Sequence, residues 1–384
     1  MLYLDNAATT PVRPEVLEAM MPFLTRWFGN PSSHHTVGEA AAQALADARA
    51  RVARVLGMRQ GDVVFTSGGT ESNNLAIKGI SIAAQLGRDA GHVVTTRTGH
   101  ESVLGSVDYL ARVHGFEVSY VDVDEHGRID PDAVAAALRD DTALITFGYA
   151  NNEVGTVQDV AAIAAPARAR RIAVHVDAVQ AAGWLPLSAG LLHYDAISIA
   201  GHKVGAPKGS GVLGVRGRVP LEPLMHGGGQ EGGRRSGTED VAGAVGIATA
   251  LELAETEREE DARRIEALRD GFIARVLADV PAARLTGDPE HRLAGTASFT
   301  FAGTSGEAVL LELERRGVVS SSGSACAAGS DDPSHVLLAM GVPAEVAQTA
   351  VRFSFPHGLR ESLDGVADAV AASVASVAGV HASR

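Results

Sequence analysis

Residues 172–203 read IAVHVDAVQAAGWLPLSAGLLHYDAISIAGHK, and two β-branched runs within them, IAVHVD (172–177) and DAISIA (195–200), decide the fold class. Outward from this stretch, DVVFTS (62–67), HVVTTR (92–97), TALITFGY (142–149) and GVLGVR (211–216) have the same short, apolar character. Ala-rich, helix-like segments such as AAAQALADARARVARVLG (40–57) alternate with them. That alternation predicts an α/β fold with a mainly parallel sheet covered by helices. Open sheets of this kind bind ligands just beyond the carboxyl ends of their strands, so chemistry is expected in the residues that follow each run.

At 384 residues the chain exceeds what one hydrophobic core usually supports, which predicts two packed domains. A long, charged, helix-favouring segment spans 240–279. After it TASFTF (296–301), VVSSSG (318–323) and AVRFSF (350–355) read as strands between helices, a smaller C-terminal α+β domain. With 33 Lys+Arg against 46 Asp+Glu, the formal charge of −13 argues against nucleic acid and anionic membrane, leaving small metabolites and proteins as partners. One cysteine excludes an intramolecular disulfide and any cysteine-rich metal site made by one chain. The histidines lack metal-ligand spacing, so no metal is expected. MLYLDNAATTPVRPE (1–15) has neither the basic nor the apolar region of a signal peptide, and a reducing cytoplasm is the expected location.

The residues after the strands carry the chemistry. Ser67-Gly68-Gly69-Thr70-Glu71-Ser72 precedes a helix-compatible run from Asn73. Glycines let backbone approach a phosphate and helix-terminal amides hold it, although ordinary caps look the same. Asp177 ends its strand and either caps the next helix or pairs with a pyridinium nitrogen, with Gln180 in reach of a ring oxygen. Lys203, amid glycines at the next strand end, is either a solvated charge or a Schiff-base nucleophile. His100 follows HVVTTR as a cap, or as a group that stacks on a flat ligand and moves protons. Asn152 follows TALITFGY. Cys326 lies in SSSGSACAAGS (320–330), whose small residues suggest an exposed loop and a reachable thiol rather than a buried one.

In order and spacing, these motifs resemble the cysteine desulfurases of the NifS/IscS type, a branch of the class V aminotransferase family with PLP fold type I. The likeness runs from YLDNAATTP (3–11) through GNPSS (29–33), SGGTES, NNEVG, the Asp177/Gln180 pair, GHK and RSGT to SSGSAC. It implies a large pyridoxal-phosphate domain at 14–255, and a small domain from 1–13 and 256–384 that carries the cysteine loop. It implies removal of sulfur from L-cysteine, giving L-alanine and a persulfide on Cys326 for iron-sulfur or tRNA-thiolation acceptors. By the same resemblance Lys203 bears the cofactor, Asp177 meets the pyridinium, and Gln180 and Asn152 bond ring or substrate oxygen. Gly69, Thr70 and His202 hold phosphate, and His100 stacks and transfers protons. Arg352 clamps the substrate carboxylate, and Thr238 reaches the phosphate of the other subunit of a homodimer. Selenocysteine lyase and a non-catalytic sulfur-transfer scaffold are the competing readings. The stretch from Cys326 to Gly341 resembles the long-loop branch. Two departures stand out: family members often carry Ser where this chain has Ala200, and the Arg that often follows RFSLG in the family has no counterpart in RFSFPHG (352–358). Ser198, on the same strand face but about 6–7 Å away, is not expected to replace that hydroxyl.

Overall fold

A computed structural model describes residues 1–323 and 332–382. In chain order the elements are β1 (Leu2–Tyr3), α1 (Pro14–Thr25), α2 (Thr36–Leu56), β2 (Val63–Thr66), α3 (Gly69–Arg88), β3 (His92–Thr96), α4 (Glu101–His114), β4 (Glu117–Val121), α5 (Pro131–Ala137), β5 (Thr142–Gly148), α6 (Val160–Arg170) and β6 (Ala173–Asp177). There follow α7 (Ala189–Leu192), β7 (Ala196–Ala200), β8 (Gly211–Val215), α8 (Val241–Asp279), β9 (Ala283–Leu285), β10 (Thr296–Phe301), α9 (Gly306–Arg315), β11 (Val318–Val319), α10 (His335–Ala339), α11 (Ala344–Ala347), β12 (Ala350–Ser354) and α12 (Asp364–Ala382). Among the described residues no helix is long and apolar enough to cross a membrane.

Seven strands form the central sheet in the order β2-β8-β7-β6-β5-β3-β4. The block from β7 to β4 pairs in parallel, as the alternating pattern predicts, whereas β8 is antiparallel to both neighbours. GVLGVR is thus an exception within the parallel sheet. β7 reaches β8 through residues 201–210 without a crossover helix, and so short a return reverses the strand. β4, EVSYV, escapes the sequence pattern because it is an edge strand with an exposed glutamate and half-buried neighbours rather than an apolar run. Helix α3 starts at Gly69 rather than Asn73. Gly68, at φ 148°, turns the chain directly from β2 into the helix, a conformation that favours glycine.

Val174, Val176, Ile197 and Ile199 pack on one face of this sheet against α2 and the first half of α8, while Leu144, Ala196 and Leu213 pack on the other against α3 and α4. Further along α8, Ile265, Phe272 and Val276 enter a second core on the antiparallel sheet β12-β10-β9. There Phe272 meets Phe299, Phe353 and Phe355 edge-on at centroid separations of 5.2–5.9 Å. The division read at 255/256 falls inside the continuous α8. Of VVSSSG only Val318–Val319 is a strand, paired in parallel with β1.

A polar row is buried inside the central sheet. Thr146 Oγ1 lies 2.8 Å from His175 Nδ1, and His175 Nε2 lies 2.9 Å from Ser198 Oγ, which stitches β5, β6 and β7 together just below their functional ends. Burial lowers the His175 pKa from 6.5 to about 3, so the ring is neutral, one nitrogen donating and the other accepting. The unfolded chain therefore binds a proton at this residue that the folded chain refuses between about pH 6.5 and 3. Stability should fall as pH drops through that window. Thermal unfolding measured stepwise from pH 7 to 4 should show a shallower decline in a His175→Gln variant. Equal slopes would place the acid sensitivity elsewhere.

Candidate active site

The carboxyl ends of β5, β6 and β7, the start of α3 and the turn before α4 surround a cavity of about 470 Å³. Except for Thr238, every predicted site residue among those described lines it. Thr238 is exposed in the turn before α8 and stands outside the cavity. Cys326 lies outside the described residues. Gly323 and Asp332, the nearest described residues on either side of it in sequence, both line the cavity. The long segment after Cys326 contains a short helix, α10. Ser334 caps that helix and donates to Glu153, while His335 Nε2 lies 3.0 Å from the carbonyl of Gly99.

Asp177 is buried at the end of β6. Its Oδ1 accepts from the amide of Val179 at 3.0 Å, an ordinary turn cap, while the carboxylate also lines the cavity. Its Oδ2 accepts from Asn73 Nδ2 at 2.7 Å. Asn73 Nδ2 also donates to Ser102 Oγ at 2.9 Å, and Ser102 Oγ lies 2.8 Å from His100 Nδ1. Because the Ser102 amide donates to that same Nδ1 at 3.0 Å, Nδ1 is an acceptor. Neutral His100 therefore carries its proton on Nε2. Sequence reading missed Asn73 and Ser102. As polar residues on helices they carry no signal without knowledge of which helix face meets Asp177.

The N-terminal segment is the larger omission, since its sequence offered a matching motif but no role. Lys203 Nζ donates to the carbonyls of Ala7 and Ala8, the latter at 2.8 Å. Gln180, expected beside a ring oxygen, donates from Nε2 to the Ala7 carbonyl at 3.0 Å. His202 Nδ1 lies 3.2 Å from Thr9 Oγ1, and its carbonyl accepts from Thr10 at 2.9 Å. Burial, with Lys203 and Lys208 nearby, lowers the His202 pKa to about 4. Its ring is neutral at physiological pH and offers an anion a hydrogen bond rather than a charge.

These residues fit a flat ligand with an anionic group at one end and a basic ring nitrogen at the other. The 20-residue helix α3 opens with no side-chain cap on its amides, which leaves its N-terminus suited to an anion. A Cβ on Gly69 would stand 2.7 Å from Val179 Cγ2 and 3.3 Å from Ala200 Cβ, so the approach there requires glycine. On another wall Arg352 is 1% exposed. Its Nη1 donates to the backbone carbonyl of Asn152 at 2.6 Å and of Gly323 at 3.3 Å, and its Nη2 pairs with Asp5 Oδ1 at 2.6 Å. Among the described residues its buried Nε has no hydrogen-bond partner.

The family model described as aminotransferase class-V matches residues 2–362. The chain belongs to the class-V aminotransferase family. Within that family it is 45% identical over 371 residues to cysteine desulfurase IscS of Methanosarcina thermophila, covering 96% of this chain and 91% of the relative. It is 44% identical to the IscS-like cysteine desulfurase of Mycobacterium tuberculosis over the whole of both chains. Among solved structures, a NifS-like protein superposes with a TM-score of 0.88 at 35% identity over the full length of each. SspA, solved in complex with cysteine, gives 0.82 at 36% identity over 93% of this chain and 99% of its own. The likeness to NifS/IscS-type proteins read from the motifs is borne out, as is the α/β architecture.

Within this class-V cavity, Ala200 is buried beside Gly69, and Ser198 Oγ is bonded to His175 below. A hydroxyl at 200 would add a donor where the expected phosphate sits. A hydrogen bond to a charged group contributes roughly 1.5–3 kcal/mol, so Ala200→Ser should tighten pyridoxal phosphate about ten- to a hundredfold. Equilibrium dialysis of the two proteins measures this. Equal affinities would mean that another donor already supplies the contact.

Proposed function

We propose that this class-V protein is a pyridoxal-phosphate-dependent cysteine desulfurase, taking sulfur from L-cysteine, releasing L-alanine and carrying the sulfur as a persulfide on Cys326. The observation that supports it best is the convergence of Lys203, Asp177, His100 and Arg352 on one cavity whose wall includes Gly323 and Asp332. The cofactor supplies an electron sink for the substrate's α-amino carbon skeleton.

The chain's own groups do the rest. Lys203 would hold the cofactor through its amine, and the same amine would move protons at the substrate. Asp177, fixed by Asn73 and the Val179 amide, keeps a proton on the ring nitrogen. Gly69, Thr70 and neutral His202 hold the phosphate, with Gln180 and Asn152 near ring and substrate oxygens. His100, its Nδ1 accepting from the Ser102 amide, can offer its Nε2–H as a hydrogen-bond donor to the ligand and take part in proton transfer at the substrate. Arg352 binds the substrate carboxylate. The Cys326 thiolate forms an S–S bond with the substrate sulfur as the C–S bond breaks. The electron pair of that bond goes to the substrate carbon, which a proton then closes to the methyl group of alanine. No external oxidant or reductant is required. A thiol that must be reduced before each turnover suits the cytoplasm, and protein acceptors of iron-sulfur or tRNA-thiolation chemistry suit a persulfide.

A homodimer belongs to the same reading. Leu17, Met21 and Leu24 on α1, with Phe28 just beyond it, are 46–72% exposed in a stripe, while Val16 and Met20 face inward. A patch of that kind suits a self-complementary interface, and it leaves Thr238 available to a second subunit's phosphate. Sedimentation should give twice the 39.6 kDa chain mass, and Leu24→Asp with Phe28→Asp should shift it toward the single mass. An unchanged sedimentation coefficient would move the interface elsewhere.

The chemistry is tested in two steps. Borohydride treatment of the loaded protein should fix cofactor mass on Lys203, and a Lys203→Ala variant should fix none. Cys326→Ser should still change its visible spectrum on mixing with cysteine, yet release no alanine and hold no labelled sulfur. Alanine release near the unmodified rate would make Cys326 a bystander and sink the proposal.

A further inference from the structure

The guanidinium of Arg352 is almost wholly removed from water, and a buried cation without a counter-charge is strongly unfavourable. Its partner comes from the far end of the chain. Asp5 places Oδ1 2.6 Å from Nη2, and its own side chain is 19% exposed. The backbone of Asp5 is in turn anchored. It bridges Ser354, two residues from Arg352, and its carbonyl accepts from Tyr3 Oη at 3.0 Å and from the Ala8 amide at 3.0 Å. Asn6 donates to the Ser354 carbonyl at 2.8 Å, and Ser354 Oγ accepts from the Ala7 amide at 2.8 Å. Asp5 and Arg352 thus ride on one locally bonded unit, which fixes where the carboxylate starts from relative to the guanidinium.

We infer that Asp5 is a positioning residue for substrate recognition: it holds the Arg352 guanidinium in the orientation that receives the substrate's carboxylate. The inference rests on the reading of Arg352 as the carboxylate clamp. An Arg fork recognises a carboxylate only when its plane is fixed. Backbone carbonyls occupy Nη1, and among the described residues it is Asp5 that supplies both charge and direction at Nη2. The alternative, that Asp5 competes with the substrate for the clamp, predicts the opposite sign.

The test uses the cofactor-loaded protein and reads binding through its visible spectrum, titrated with L-alanine and with L-alaninamide, which lacks the carboxylate. Asp5→Asn keeps the shape and removes the charge. It should raise the dissociation constant for alanine about ten- to a hundredfold, the range of one charge-assisted hydrogen bond, with alaninamide changed less than about twofold. Asp5→Glu should recover part of the loss, and it serves as the test protein if Asp5→Asn fails to load. A merely structural role would weaken both ligands alike, and a competing role would tighten alanine; either result overturns the inference. Arg352→Gln separates it from its foundation. That variant should abolish the preference for alanine over alaninamide, and a preference that survives would overturn the clamp itself rather than the part given to Asp5.

Discussion

Two cations at the heart of the cavity, Arg352 and Lys203, find their counter-groups in residues 5–8. The segment is anchored at both ends. β1 pairs with β11 before it, and Thr10 bonds His202 and Gly205 after it. Arg352 belongs to the antiparallel sheet and Lys203 to the end of β7 in the parallel one, so a short N-terminal strap joins the two cores at the point where ligand chemistry is expected. Helix α8 also runs through both, but it joins them behind the site through apolar packing, which is non-directional. The strap joins them through oriented charge and backbone hydrogen bonds, and that makes the cavity geometry specific.

A second constraint acts from below. The row Thr146–His175–Ser198 ties together the three strands whose ends carry Gly148, Asp177 and Ala200. A buried polar row is costly unless every member is satisfied. Here the ring has a hydroxyl on each side, so sliding one strand against another would break a bond in the low-dielectric interior. Asp177 and Lys203 therefore face one cavity because their strands are held in register by polar contacts, in addition to the backbone ladder.

The parallel strands, the long α8 and the cluster at the strand ends were legible in the sequence because each depends on local pattern, β-branched runs and the residues just after them. The features that escaped depend on contacts between segments distant in the chain. Asp5 and Arg352 are 347 residues apart, and Asn73 and Asp177 are 104 apart, so neither pair leaves a periodic trace. Glu117–Val121 escaped for a different reason, since an edge strand half open to water need not be apolar. The antiparallel β8 was readable as a strand but not in its direction, which the length of the preceding turn decides. Ala200 and Ser198 were placed correctly on one strand face, although the reason Ser198 cannot help, its bond to His175, required the neighbouring strand.

Ligand recognition in such a cavity is an exchange of partners. The Lys203 amine already donates to Ala7 and Ala8, so bonding a cofactor carbon, as proposed, would mean leaving those carbonyls, which would then need other donors or water. The Ala7 carbonyl already has one in Gln180 Nε2 at 3.0 Å, so the strap need not unfold when Lys203 departs. Arg352 differs, because on the proposed reading Asp5 would stay in place and a substrate carboxylate would add a second anion to one guanidinium. Two anions around one buried cation are tolerable only with further donors, and Nε, without a partner among the described residues, can supply one. The arrangement accordingly favours a ligand that brings its own cation beside its carboxylate, and an α-amino acid does so.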